Sequence, residues 1–95
     1  MSIPFINKES INSINFPNVE VLDDIHFIQE RRNKLEKALR LGNLYKHHVR
    51  ISFVDKENMR FKTEATVWAV TEKYVILKSH MMIPICAIQD VELIA

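Results

Sequence analysis

Residues 66–78, Thr66-Val67-Trp68-Ala69-Val70-Thr71-Glu72-Lys73-Tyr74-Val75-Ile76-Leu77-Lys78, are two apolar runs joined by a short polar turn. In strand periodicity Val67, Ala69, Val75 and Leu77 point one way, and Trp68, Val70, Tyr74 and Ile76 point the other. A hairpin with one wet face would not carry large apolar residues on both sides. Both faces need cover, so this hairpin is expected at the centre of the fold.

The segments around it supply that cover. His48 to Phe53 alternates, with Val49, Ile51 and Phe53 on one side. Asp55-Lys56-Glu57-Asn58 reads as a turn in which Asp and Asn stand in for glycine. Arg60 to Thr71 reads as one long second strand and Tyr74 to Lys78 as the third. Met81 to Ile85 is a short fourth strand at an edge, because Pro84 cannot donate to a ladder. Cys86-Ala87-Ile88 fits a single 3₁₀ turn. Gln89 to Ile94 is the fifth strand, with Val91 and Leu93 facing inward.

Upstream, residues 24–41 read as a helix, with Asp23 or Asp24 as its cap and Gly42-Asn43 as its end. Val21, Ile25, Ile28, Leu35 and Leu39 fall within about 80° of arc and predict the docked stripe. That stripe is expected to cover the Trp68 face of the hairpin. Arg32 lies inside the stripe, with its stem expected to snorkel out to solvent. Residues 1–20 form an N-terminal arm, and residues 21–95 form the helix-plus-strand domain. The arm holds Ile3, Phe5, Ile6, Ile11, Ile14 and Phe16, too many apolar residues for a solvated tail, and is expected to lie on the domain or on a neighbouring chain. The fold class is thus mainly β with one helix: an arm and an amphipathic helix, then a strongly bent five-stranded antiparallel barrel.

The order of elements resembles the small SH3-like barrels, the Sm-like proteins in particular, over roughly residues 24–94. The stretch Tyr74 to Ser79 and on through Ile83 to Val91 is similar to that family's second half. The resemblance implies RNA binding and ring assembly through edge strands. Val70-Thr71-Glu72-Lys73-Tyr74 stands where the family carries its nucleotide-binding motif, and Ser79-His80 where it carries a glycine. No nucleotide-contacting residue of the family is therefore carried over. Tyr45-Lys46-His47-His48 is similar to a short string of the bacterial Sm-like RNA chaperone but precedes the first strand, so it transfers no role. The Rho-binding antiterminators, monomeric barrels that bind protein, have a similar layout.

Net charge is +1 over 95 residues, which provides no global field for nucleic acid or membrane. The charge is unevenly placed. Residues 29–50 hold seven Lys or Arg against Glu30 and Glu36. Arg31, Lys34, Lys37, Arg40, Lys46 and Arg50 are the candidate phosphate contacts of this block. The alternative is the solvated side of an amphipathic helix. Trp68, Tyr74, Met82, Pro84 and Ile94 are the candidate partner or oligomer surface, reached through edge strands.

No catalytic or metal constellation emerges. His47 and His48 are adjacent and face opposite sides, and His26 and His80 lack partners at ligand spacing. One glycine rules out a glycine-rich phosphate loop, and Cys86 has no evident His partner and reads as an inert thiol. The first residues have neither a basic flank nor a long apolar stretch and no apolar run reaches ~20 residues, so neither a secretory signal nor a membrane span is expected. A non-enzymatic, cytoplasmic binding module without a cofactor is expected. Its ligand is RNA, or it is a protein-interaction or self-assembly module.

Overall fold

The computed structural model describes residues 3–94; Met1 and Ser2 of the arm and Ala95 of the domain lie outside the described residues. A 3₁₀ segment, Lys8–Ser13, precedes α1 (Ile25–Tyr45). The strands follow as β1 (Val49–Val54), β2 (Arg60–Ala65), β3 (Val67–Val70), β4 (Tyr74–Leu77), β5 (Met82–Pro84) and β6 (Ile88–Leu93). They form two three-stranded sheets, ordered β2-β1-β6 and β3-β4-β5. All strand pairs are antiparallel.

The single long strand expected over Arg60–Thr71 is two strands. Thr66 is buried between them, and its carbonyl accepts from the Lys78 amide at 2.9 Å. The chain changes sheets at this residue. A bulge follows at once: the register with β4 shifts between Val67 and Ala69, so Trp68 and Ala69 together oppose Ile76. Beyond the bulge, Val70 pairs with Val75 and packs on the core rather than sharing the Trp68 side.

The interior is the one expected from the hairpin. Val49, Ile51, Phe53, Val67, Val75, Leu77 and Val91 are buried, while Ala69 and Leu93 are half-buried. Ile83, Ile85 and Ile88 complete it together with Ile11 from the arm. Burying Ile11 alone is worth about 1.5–3 kcal/mol before ordering costs.

The helix docks on a face rotated from the predicted stripe, sharing Leu35 and Leu39 with it. Its buried residues are Arg31, Leu35, Ala38 and Gly42, while Ile25 is 69% exposed and Leu39 half-buried. Asp24 caps it, accepting from the His26 amide at 2.7 Å. Gly42 does not end it. The helix runs on to Tyr45, and Lys46 takes the left-handed position at φ 56°. A β-carbon on Gly42 would stand 2.6 Å from the Val67 carbonyl oxygen and 3.2 Å from Thr66 Cγ2. The small residues Ala38 and Gly42 let α1 lie against the outer edge of β3, and this rotates the docked face away from Ile25. Because the helix follows that edge, it leaves the outer sheet face bare, and Trp68 is 43% exposed instead of covered.

Alternating hydrogen bonds show which strand edges are free. On β2, the outward amide and carbonyl of Lys62 pair with Pro4 O and Ile6 N at 2.9 and 2.8 Å, so the arm extends that sheet. On β5, the bonds Leu77 N to Met81 O and Ile85 N to Lys73 O turn the backbone of Met82 and Pro84 outward. Pro84 therefore has its missing N–H at the free edge, as expected of an edge strand. On β6, the bond from Ile94 N to His48 O turns the backbone groups of Val91 and Leu93 away from β1, while their side chains stay on the core side.

The Gly42 contact gives a direct test. In an open helix Gly→Ala gains up to ~1 kcal/mol, but here the added methyl meets a backbone oxygen. Gly42→Ala should lower unfolding free energy by about 1–3 kcal/mol in urea titrations. A gain in stability would show that the seam is looser than described.

Candidate functional site

The expected phosphate contacts separate into two groups. Arg31 is only 5% exposed and is spent inside the fold. It donates to both carboxylate oxygens of Glu20 and, at 2.9 Å, to the Ile88 carbonyl. Lys34 lies 2.9 Å from Asp90 and 3.3 Å from Glu30, and the Asp90 hydrogen bond holds its ammonium above the usual lysine range. Arg50 lies between Glu64 on β2 and Glu92 on β6, at 3.4 and 3.6 Å, with Phe5 of the arm 5.1 Å from its guanidinium carbon. Arg32 does not snorkel free; it donates to the carbonyls of Thr71 and Glu72 at 3.0 and 2.9 Å and pins the β3–β4 turn to α1. These four cations are structural.

Lys37, Arg40 and Lys46 are exposed and form no ion pair among the described residues. Lys46 caps the C-terminal end of α1, and Lys37 and Arg40 stand in the turns before it, on the side of the helix away from Ala38 and Gly42. Gly42 seats that end on Thr66 and Val67. The Lys78 amide ties the β4–β5 link to Thr66. Trp68 meets His80 edge-on, with ring centroids 5.4 Å apart and planes at 88°. Tyr45, 67% exposed, lies 5.9 Å from His47.

Residues 37–49, 65–71 and 77–82 contain no Asp or Glu. They contribute Lys37, Arg40, Lys46 and Lys78 together with His47, His48 and His80. Of the acids bordering these segments, Glu64 and Glu92 are turned onto Arg50, Glu72 lies in the β3–β4 turn, and Glu36 stands one turn before Arg40. This pole of the molecule is cationic and carries exposed aromatic rings. No match was found among protein-family models, curated proteins or solved structures. The chemistry of the pole must therefore be read from its own residues.

Sequence reading includes Lys37, Arg40 and Lys46 in a helix–first-strand basic block and does not single out Lys78 or His80. A signal for them existed: residues 73–89 hold Lys73 and Lys78 and no acid, a local excess hidden when charge is summed over 51–95. Trp68 was singled out in sequence for partner binding and is exposed at the pole's rim. Tyr74 and Met82 are exposed too, and they line, with half-buried Pro84, a cleft of about 820 Å³. Arg31, Arg32 and Cys86 border the same cleft. Ile94 stands apart, half-buried beside His48. Burial pushes the Cys86 thiol up, as does the nearby Glu20 charge, so it is a poor nucleophile. Among the described residues no group of three or more His, Cys, Asp or Glu is placed to hold a metal ion. No helix among them is long and apolar enough to cross a membrane.

The Glu20–Arg31 pair fixes arm to helix and sets an acid limit on stability. Partial burial raises the carboxyl, but the Arg31 hydrogen bonds and charge and the amides of Leu22 and Val21 outweigh it and hold it below 4.5. A depressed folded value stabilises above the unfolded value and loses that contribution as pH falls through the folded one. Glu20→Gln should thus be less stable than the parent at neutral pH, and the gap should close as pH drops below 4.5. Urea unfolding of both proteins across that range checks it. A gap independent of pH would assign the contact to packing alone.

Proposed function

We propose that this protein is a non-enzymatic binding module that takes nucleic acid, with RNA as the expected ligand, at the cationic pole. The observation that carries the reading is the coincidence of unpaired cations with exposed rings in segments free of acid. Cations without internal partners release counterions when they meet phosphates, and exposed rings give bases a surface. The site differs from the helix–first-strand track expected from sequence, because Arg31, Lys34 and Arg50 are neutralised within the fold. The two sheets, joined where the chain turns at Thr66, fit a bent barrel of the SH3-like or Sm-like kind.

Self-assembly is the second reading, favoured by a specific observation. The arm covers the β2 edge, and α1 covers the β3 edge and also packs against β6, where Arg31 donates to the Ile88 carbonyl; among the described strands this leaves β5 as the edge open for pairing. The apolar outer face formed by Ile76, Met82 and Tyr74 continues up to the β5 edge. Light scattering, combined with the 260/280 absorbance ratio of the purified protein, separates the two. A nucleic-acid-free oligomer favours assembly, and co-purifying nucleic acid favours the pole.

Salt dependence tests the pole directly. Replacing Lys46 and Lys78 together by Gln should weaken RNA binding and reduce the slope of log affinity against log salt by about 1.4–1.8. Filter binding at several salt concentrations measures it. Binding that ignores salt would overturn the proposal.

A further inference from the structure

We infer that the ligand of this pole is single-stranded, and that Trp68, braced by His80, is the ring on which a base stacks. The inference rests on the nucleic-acid reading above and goes on to specify the form of the ligand.

Trp68 occupies the β3 bulge. Its neighbour Val67 is fully buried, and the bulge turns the large ring outward, leaving 43% of the residue exposed. His80 stands perpendicular to the ring, with centroids 5.4 Å apart, so the two rings do not stack on each other. The link that carries His80 is strained. Ser79 and His80 both have positive φ, at 73° and 65°, in a tight β4–β5 turn where Gly or Asn is the usual choice. Strain of this kind, retained without glycine, is concentrated at sites where the side chain is used. Lys78 starts the same turn, and its backbone is tied to Thr66, two residues before Trp68. One exposed ring with a cation close by can stack an unpaired base and neutralise its phosphate. A duplex keeps its bases stacked internally, and a lone ring on a bulge offers no helix or ribbon for its grooves.

Trp68 is the only tryptophan in the chain, so its fluorescence reports this site without a label. The full chain is titrated at low salt with a short mixed-sequence RNA strand and, separately, with the duplex of the same sequence. The single strand should bind more tightly and quench Trp68. Trp68→Ala should lower single-strand affinity about 5- to 150-fold. Trp68→Phe should retain most of the affinity and guards against a folding defect in the alanine variant. His80→Gly removes the brace and the left-handed strain together, and should raise thermal stability while weakening single-strand binding. Duplex binding as tight as the single strand, or Trp68→Ala binding unchanged, overturns this inference while leaving the cationic pole as a nucleic-acid site. Failure of both ligands to bind at low salt overturns the nucleic-acid reading itself.

Discussion

At Gly42 the backbone of α1 comes up against the Val67 carbonyl, with no room for a β-carbon between them. Most of the remaining architecture depends on that contact. With no side chain at 42 and only a methyl at 38, the helix lies along the β3 edge and places Leu35 and Ala38 in the core. The same rotation carries Arg31 inward, where Glu20 and the Ile88 carbonyl neutralise it. Glu20 in turn holds the end of the arm. The missing β-carbon thus goes with the docked face of the helix and with the burial of one guanidinium, and Glu20 adds a tie to those the arm makes with β2 and the core. It also decides the candidate site, since a helix laid over the sheet face would have covered Trp68.

Much of this was legible in the sequence. The inward set of Val49, Ile51, Phe53, Val67, Val75, Leu77 and Val91 followed from strand alternation, because a period of two is insensitive to small errors in strand ends. The Asp55–Asn58 turn was legible for a local reason. Asp55 Oδ1 accepts from the amides of Glu57 and Met59, and Asn58 takes the left-handed position. The helix stripe is rotated from the expected one because periodicity rewards large apolar residues, whereas this helix adds the small Ala38 and Gly42 to Leu35 at its docked face. Gly42 was read as a terminator for the same reason: sequence shows a missing side chain but not what approaches the gap.

The candidate site was only partly legible. Runs of Lys and Arg mark a cationic block, but ion pairing depends on cross-strand neighbours. Arg50 is flanked by Glu64 and Glu92 only because β1 lies between β2 and β6, so a count along the chain cannot reveal its neutralisation. The Trp68–His80 contact joins residues on two sides of a hairpin through a bulge and a left-handed turn. Neither irregularity has a strong sequence signature, since Ser79-His80 lacks the glycine that usually announces one.

The arm has a consequence for the life of the chain before it is fully folded. Pro4 and Ile6 take up the outward backbone groups of Lys62, yet this stretch is made before its partner strand, which follows some sixty residues later. Until the arm returns, β2 is an open template bordered by Phe61 and by the half-formed core. The N-terminal stretch is thus an intramolecular guard against edge-to-edge aggregation, and the protein carries within its own sequence the strand that its sheet would otherwise seek in a neighbour.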